Sequence, residues 1–198
     1  MAGKKQFDMD KALDAAMIQF WRAGYADTSL DDLSRATGLN RSSIYSSLGD
    51  KDALFLRCLE RYTARYGDKY DAALSCAVSE PLAAVRAFFD VTLERIADPE
   101  LPDGCLIAQS AMAIPVLSPA VAAHTKESLG FQRLRLRAAL KAGRLSDRDA
   151  DAFAEHAAAV NQSLAVMSRA GASPAQLRAV VGVTVDALSR ALRDSRRG

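Results

Sequence analysis

Apolar residues recur along this chain at spacings of three and four, as they do on the buried face of an amphipathic helix. Two early segments have this spacing and are separated by residues 21–53. Their apolar positions are Ala12, Leu13, Ala16, Met17 and Phe20, and then Leu54, Phe55, Cys58, Leu59 and Tyr62. No strand-like alternation of useful length appears. The pattern therefore predicts an all-α fold.

Glycine and proline mark the ends of the predicted helices, because proline favours first turns and ends helices that run into it. Together with the spacing, they predict about nine helices. The later helices are predicted from Pro81 to Asp98, from Cys105, over about residues 119–142, from Ser146–Asp147 to about 169, and from Ser173–Pro174 to about 193.

Residues 28–51 predict a helix, a tight glycine turn and a second short helix. Thr28 is the predicted N-cap of the first helix, and Gly38 lies where that helix must stop. Ser34 is a small residue, Gly38 follows it by four positions, and the aliphatic Ile44 follows Gly38 by six. This spacing of a small residue, a glycine and an aliphatic residue is typical of a helix–turn–helix. Such a unit places its second helix in the DNA major groove. An ordinary αα-hairpin is the alternative for so short a motif.

The wider run FWRAGYADTSLDDLSRATGLNRSSIYSSLGDKDALF resembles the DNA-binding domain of TetR-type transcriptional regulators. The resemblance rests on Gly24–Tyr25, Thr28–Ser29, Gly38–Leu39–Asn40, Tyr45–Ser46–Ser47–Leu48 and Lys51–Asp52–Ala53–Leu54. Three departures are mild: Ser42 stands where glycine is frequent, Leu48 where phenylalanine is usual, and Asn40 where serine or threonine is usual. Asn40 is able to cap the second helix as those residues do.

The resemblance implies a three-helix DNA-binding domain in residues 1–50 and a helical effector-binding and dimerisation domain in residues 51–198. It implies a homodimeric repressor that leaves a near-palindromic DNA operator when it binds a small-molecule effector. Activation is the alternative to repression, since the sign depends on where the operator lies.

Residue roles carry over from the resemblance position by position. Contacts to DNA phosphates are implied for Thr28, Tyr45, Ser46 and Lys51. Such contacts fix register without reading sequence. Contacts to base edges are implied for Arg41, Ser42 and Ser43, with Asn40 beside them and Arg41 suited to guanine. A core position is the alternative for Tyr45.

Charge adds little to this picture, because the chain has a formal net charge of +2 and its first fifty residues hold six Lys/Arg and seven Asp/Glu. Non-specific attraction to phosphate should therefore be modest. The N-terminus has no apolar signal region, and no apolar run approaches the length of a membrane span. We expect a cytoplasmic protein that does not associate with membranes.

Two further sets of residues are predicted from the helices that follow the motif. The first mixes apolar bulk with polar groups, as a small-molecule pocket does, although an ordinary core would look the same. Its members are Phe88, Phe89, Thr92, Cys105, Ile107, Gln109, Ser110, Met112, Phe131, Gln132, Asn161 and Gln162.

The second set consists of small and aliphatic stripes on the last two helices, which in the resembled family pair across a two-fold axis. Burial within one subunit is the alternative for both stripes. The predicted dimer residues are Ala157, Val160, Leu164, Met167, Leu177, Val181, Thr184, Val185 and Leu188.

The three cysteines lack metal-site spacing, and a disulfide framework is not expected. Cys105 begins a predicted helix, where a thiol can be reactive, so a regulator that senses oxidants or electrophiles through Cys105 is one alternative and simple packing is another. No nucleophile–base pair, metal cluster or phosphate loop is present, so neither an enzyme nor a cofactor is predicted. An all-α interaction module without DNA binding is the alternative from another class, although nothing in such a role calls for Arg41, Tyr45 and Lys51.

Overall fold

The computed structural model describes residues 2–143 and 145–194, with the backbone alone for residues 2–8 and 194. This part of the chain is helical and contains no strand, which confirms the predicted all-α class. The helices are α1 (Ala2–Ala23), α2 (Leu30–Thr37), α3 (Arg41–Leu48), α4 (Lys51–Leu74), α5 (Pro81–Ala97), α6 (Leu106–Met112), α7 (Pro119–Ala142), α8 (Asp147–Arg169) and α9 (Pro174–Asp194), with a 3₁₀ turn at Ile114–Val116.

The helix ends follow the predicted glycines and prolines. Pro81, Pro119 and Pro174 are each the first residue of a helix, where a missing N–H costs nothing and the fixed φ suits the first turn. Gly24 follows the last residue of α1 with a φ of 88°. Ser146 caps α8, as its Oγ accepts a hydrogen bond from the Asp149 N–H at 3.1 Å. Local chemistry therefore sets most of these boundaries.

The start of α2 differs from the prediction by one residue. Its N-cap is Ser29 rather than Thr28: the Ser29 Oγ accepts from the Asp32 N–H at 3.1 Å, and the Asp32 carboxylate accepts from the Ser29 N–H at 2.8 Å. These hydrogen bonds also hold the pKa of Asp32 below its usual value. The reciprocal pair satisfies two backbone donors. Thr28 has Asp31 three residues on, but its hydroxyl donates to the Gly24 carbonyl and Asp31 pairs with Arg41.

The described residues form two compact units. The first contains those up to Ala64 together with Cys105–Ser128, and the second contains Arg65–Gly104 and those from Leu129 onward. This division concerns packing and does not test the functional boundary predicted between residues 50 and 51. That boundary remains a prediction.

The core of the first unit is built on aromatic rings from α1 and α4. Phe20 lies against Phe55 with ring centroids 4.6 Å apart, and Trp21 meets Tyr62 edge-to-face at 5.1 Å. Cys58 is fully buried in the same unit, and burial raises the pKa of its thiol. These contacts hold α1 against α4, the helix that follows the helix–turn–helix.

In the second unit, α5, α8 and α9 pack against one another. Phe88 and Phe89 of α5 are fully buried, and the Phe88 ring lies 4.7 Å from that of Tyr70. Among the residues that the structure describes, no helix is long and apolar enough to cross a membrane.

Candidate nucleic-acid interface

The turn between α2 and α3 is built around Gly38, which has a left-handed φ of 71°. Its N–H donates to the Ser34 carbonyl at 3.0 Å, and the Ser34 hydroxyl donates to the Leu39 carbonyl at 2.5 Å. Leu33 of α2 and Ile44 of α3 are fully buried on the inner side of the turn. The small–glycine–aliphatic pattern thus forms a helix–turn–helix, as predicted.

The outer face of α3 is polar and accessible. Arg41, Ser42, Tyr45 and Ser46 are exposed, while Ile44 and Leu48 point inward. Tyr45 is 52% exposed, which rules out the alternative of a core aromatic. α3 therefore presents one guanidinium, one phenol and several hydroxyls to the exterior.

Both ends of α3 are held by capping interactions. The Asn40 side chain accepts a hydrogen bond from the Ser43 N–H at 2.8 Å, as expected for an N-cap. At the other end, Gly49 has a φ of 86°, and the Arg57 guanidinium on α4 donates to the Ser47 carbonyl at 3.0 Å. The polar face is thus carried by a short helix whose position is fixed at both ends.

Lys51 is the first residue of α4, and its ammonium nitrogen lies 4.3 Å from the centroid of the Tyr25 ring. The Tyr25 hydroxyl donates to the Asp52 carboxylate. Burial and this hydrogen bond raise the pKa of Tyr25 to about 12, so the hydroxyl remains a donor at neutral pH. Hydrogen bonds from Ser118 and Tyr25 lower the pKa of Asp52, while partial burial lowers that of Lys51. Tyr25 and Asp52 thus form a support beneath the half-buried lysine.

Arg41 is already paired within the chain. Its Nε donates to Asp31 Oδ1 at 2.9 Å and its Nη2 donates to Asp31 Oδ2 at 2.6 Å. This pairing raises the pKa of Arg41. Asp31 lies in the first turn of α2, so the pair ties the start of α3 to the neighbouring helix. The predicted base-reading arginine is therefore held by a bidentate ion pair on the exposed surface.

Thr28 does not join this surface. It is fully buried, and its hydroxyl donates to the Gly24 carbonyl at 2.6 Å. The predicted phosphate contact by this side chain is therefore corrected: Thr28 closes the turn after α1, and its hydroxyl does not face solvent. The other seven predicted DNA-binding residues are exposed or half-buried.

The predicted effector residues are divided between the two units. Seven lie in the second unit, where Thr92, Asn161 and Tyr70 form a buried hydrogen-bond network. The Thr92 hydroxyl donates to Asn161 Oδ1 at 2.7 Å and lies 2.7 Å from the Tyr70 hydroxyl, while Asn161 Nδ2 donates to Gln132 Oε1 at 3.1 Å. The seven are Phe88, Phe89, Thr92, Phe131, Gln132, Asn161 and Gln162.

The other five lie in the first unit and are Cys105, Ile107, Gln109, Ser110 and Met112. Gln109, Ser110 and Met112 line a cavity of about 210 Å³ beside the Phe20 and Tyr25 rings. That volume is below the range of about 300–1,000 Å³ usual for ligand pockets. The effector site remains a prediction, and its twelve predicted residues are divided between the two units.

The predicted dimer stripes are largely covered within the chain itself. Val160 and Met167 are half-exposed, while the other seven residues are buried: Ala157, Leu164, Leu177, Val181, Thr184, Val185 and Leu188. Burial in the second unit makes these seven unavailable to a partner subunit, so this part of the prediction is corrected. The spacing of apolar residues therefore identified the faces of α8 and α9 that are buried within the second unit.

Cys105 is half-buried and is the N-cap of the seven-residue helix α6. The Tyr62 hydroxyl donates a hydrogen bond to its sulfur at 3.2 Å. Cys76, by contrast, is exposed.

Sequence reasoning did not assign a role to Asp31, Arg57 or Asp52 in this interface. Asp31 pairs with a residue ten positions away, and Asp52 accepts from Tyr25, which precedes it by 27 positions. Neither separation follows a helical period. The capping box at Ser29 and Asp32 did carry a sequence signal, since the two residues stand three apart, but Thr28 and Asp31 have the same spacing.

Comparison with known proteins covers both ends of the chain. The family model described as "Bacterial regulatory proteins, tetR family" matches residues 12–58, and "Tetracyclin repressor-like, C-terminal domain" matches residues 81–183. The HTH-type transcriptional repressor ComR of Escherichia coli K12 is 30% identical over 186 residues, which cover 91% of this chain and 89% of that protein.

Two solved structures illustrate the likeness in three dimensions. The TetR family regulator CifR, solved as a cysteine mutant with 26-base-pair operator DNA, has a TM-score of 0.76 at 28% identity and covers 90% of this chain and 95% of its own. A TetR family regulator of Agrobacterium tumefaciens has a TM-score of 0.81 at 26% identity, covering 91% and 97%.

Proposed function

Because this chain belongs to the TetR family and is thus a DNA-binding transcriptional regulator and not an enzyme, we propose that it is a homodimeric repressor. In this proposal it binds a near-palindromic operator in the cytoplasm and leaves it on binding a small-molecule effector. The observation that carries the proposal is the exposed polar face of α3. Similarity to a repressor and to an operator-bound regulator supports it.

The proposed DNA contacts follow the exposure of each side chain. Tyr45, Ser46 and Lys51 bind phosphates, which sets the register of α3 in the major groove. Arg41, Ser42 and Ser43 face base edges, where Arg41 recognises guanine. Asn40 both caps α3 and stands at its exposed start.

The proposed dimer seam uses the exposed faces of α8 and α9. Val166 is 63% exposed and Val183 is 72% exposed, which is unusual for large apolar side chains without a partner. Other residues of α8 that are exposed or half-exposed are small or apolar, namely Ala152, Ala159, Val160, Ser163 and Met167. A two-fold dimer places two recognition helices about 34–36 Å apart, one turn of DNA, which matches a near-palindrome.

The proposed effector acts by shifting the population between two conformers, of which one matches the spacing of the operator half-sites. The polar network of Thr92, Asn161 and Gln132 supports an effector site in the second unit. These amide and hydroxyl groups now hydrogen-bond one another, and a ligand with polar groups could take the place of one of these partners. The effector must bind the released conformer more tightly than the operator-bound one.

The proposal is tested by selecting bound duplexes from a random DNA pool with purified protein at near-physiological salt, with Tyr45→Ala as the control. The expected result is a near-palindrome that the control does not recover. If a folded dimer enriches no sequence, operator binding by this chain is contradicted. The alternative of an interaction module without DNA binding is then favoured.

Replacing Lys51 by alanine is expected to weaken binding to all duplexes about tenfold and to reduce the slope of log affinity against log salt by about one. The reason is the loss of one phosphate contact that carries no sequence information. Affinity is measured by fluorescence anisotropy at four or more salt concentrations.

Lys69→Ala is the matched control for Lys51→Ala, since Lys69 is an exposed lysine eighteen residues further along the chain. It is expected to change neither affinity nor slope. Equal effects of the two variants would show a general charge effect and contradict the proposed contact.

A second candidate function is thiol-based sensing through Cys105, favoured by the hydrogen bond from Tyr62 to its sulfur. Hydrogen peroxide converts a thiol to a sulfenic acid and water, which would place a new polar group at the start of α6. Peroxide is then expected to release DNA from the wild type but not from Cys105→Ser.

The matched control is Cys76→Ser, because Cys76 is the exposed cysteine among those that the structure describes. This variant should release DNA as the wild type does. Release from Cys105→Ser at the wild-type peroxide concentration would exclude sensing by this thiol.

A further inference from the structure

We propose that Asp31 is a specificity-determining positioning residue, which holds the Arg41 guanidinium with one edge turned towards a base in the major groove. This inference rests on the proposed operator binding through α3. The starting observation is the bidentate pair between Arg41 Nε and Nη2 and the two Asp31 oxygens, at 2.9 and 2.6 Å.

The remaining donors of Arg41 fit guanine. A guanidinium has five N–H donors in a rigid planar fork, of which Asp31 engages one on Nε and one on Nη2. Within the described part of the chain, Nη1 of Arg41 makes no hydrogen bond. One N–H of Nη1 and the second N–H of Nη2 form the outer edge of the fork. That edge offers two parallel donors, which match the O6 and N7 acceptors of guanine.

Asp31 is suited to this role in a way that its neighbour Asp32 is not. The Asp32 Oδ2 accepts from the N–H and the hydroxyl of Ser29, and its Oδ1 accepts from Arg35. Both Asp32 oxygens are thus committed within α2. Both carboxylate oxygens of Asp31 accept hydrogen bonds from Arg41. Asp31 lies in the first turn of α2, which is held by the capping box of Ser29 and Asp32.

The exposure of the pair separates a positioning role from a stabilising one. The Arg41 and Asp31 side chains are 60% and 62% exposed, and ion pairs so open to water contribute little to stability. A bidentate contact nevertheless fixes the plane of the guanidinium, so less rotamer freedom is lost when DNA binds. The Asp31 carboxylate also repels nearby phosphates. Asp31 should therefore sharpen sequence preference while lowering affinity for unrelated DNA.

The test uses the wild type, Asp31→Asn, Arg41→Ala and the double variant. Selection from a random pool with the wild type and Arg41→Ala first identifies the base pair that Arg41 reads. Discrimination at that pair is then measured as the ratio of affinities for duplexes differing only there. Asp31→Asn is expected to lower this ratio on the order of tenfold while affinity for unrelated DNA is unchanged or higher.

In the Arg41→Ala background, Asp31→Asn should have no further effect on discrimination, since the residue it positions is gone. Glu60→Gln is the matched control, because it removes one exposed carboxylate from α4 and should leave discrimination unchanged. Circular dichroism spectra and unfolding midpoints equal to the wild type establish that each variant is folded.

Three results would overturn the inference, and they are distinguishable. If Asp31→Asn leaves discrimination unchanged or makes it sharper, the inference is contradicted and the proposed operator binding is unaffected. Sharper discrimination would indicate that Asp31 keeps Arg41 away from DNA. Unchanged discrimination by Arg41→Ala also contradicts it and leaves the proposed function intact. A wild type that selects no duplex overturns the proposed function and the inference together.

Discussion

Replacing Phe20 by alanine is expected to lower the free energy of unfolding by about 3–5 kcal/mol, the usual cost of removing a large buried aromatic. Phe20 is fully buried, and its ring lies 4.6 Å from Phe55 and 6.4 Å from Tyr25. Without the Phe20 ring, Tyr25 would lose one of its packing partners. The Lys51 ammonium group lies over the Tyr25 ring and would lose its fixed position. We therefore expect weaker DNA binding as well as lower stability.

The measurement for Phe20→Ala is urea unfolding followed by circular dichroism, with DNA affinity measured on protein shown to be folded. Phe131→Ala is the matched control, since Phe131 is a half-buried phenylalanine on α7. It should lose clearly less stability, because less apolar surface is removed from the core. A Phe20→Ala protein as stable as the control would contradict the assigned core.

Replacing Gly49 by alanine is expected to cost about 1–3 kcal/mol from backbone strain, with a further cost from steric overlap. Gly49 has a φ of 86° and a ψ of −162°, a region that residues with a Cβ rarely adopt. An added Cβ would lie 2.7 Å from the Cβ of Ala53, in the first turns of α4. Relief of that overlap must move α3 or α4, which changes the position of Tyr45 relative to Lys51.

Gly130→Ala provides the control for Gly49→Ala, because Gly130 lies within α7 and an added Cβ meets nothing within 4 Å. Alanine there should stabilise by up to about 1 kcal/mol, since glycine is the poorer helix former. Urea unfolding and operator affinity are measured for both variants. Wild-type values for Gly49→Ala in both measurements would be incompatible with the strained turn.

The ends of the helices show how far sequence reasoning reached and where it missed. Gly38 and the first-turn prolines were identified correctly, because each acts through its own backbone. The N-cap of α2 was wrong by one residue, because Thr28 and Ser29 are both good capping residues and each has an aspartate three positions on. In the fold the Thr28 hydroxyl donates to the Gly24 carbonyl, and Ser29 caps the helix.

The predicted dimer seam shows a different kind of error. The spacing on α8 and α9 correctly identified apolar stripes, but most of those residues are buried inside the chain. A stripe of Ala, Val and Leu has the same period whether it faces its own subunit or a partner. Val166 and Val183 became candidates only when their exposure was known.

The sequence by itself determined the all-α class, most boundaries of the later helices, the helix–turn–helix and the family, because each depends on residues near one another in the chain. Only the tertiary structure decided that Arg41 pairs with Asp31, that Tyr25 supports Lys51 and that Thr28 is buried. These facts depend on how separate helices approach one another in space. That approach is set by packing over the whole unit, and no local period in the sequence records it.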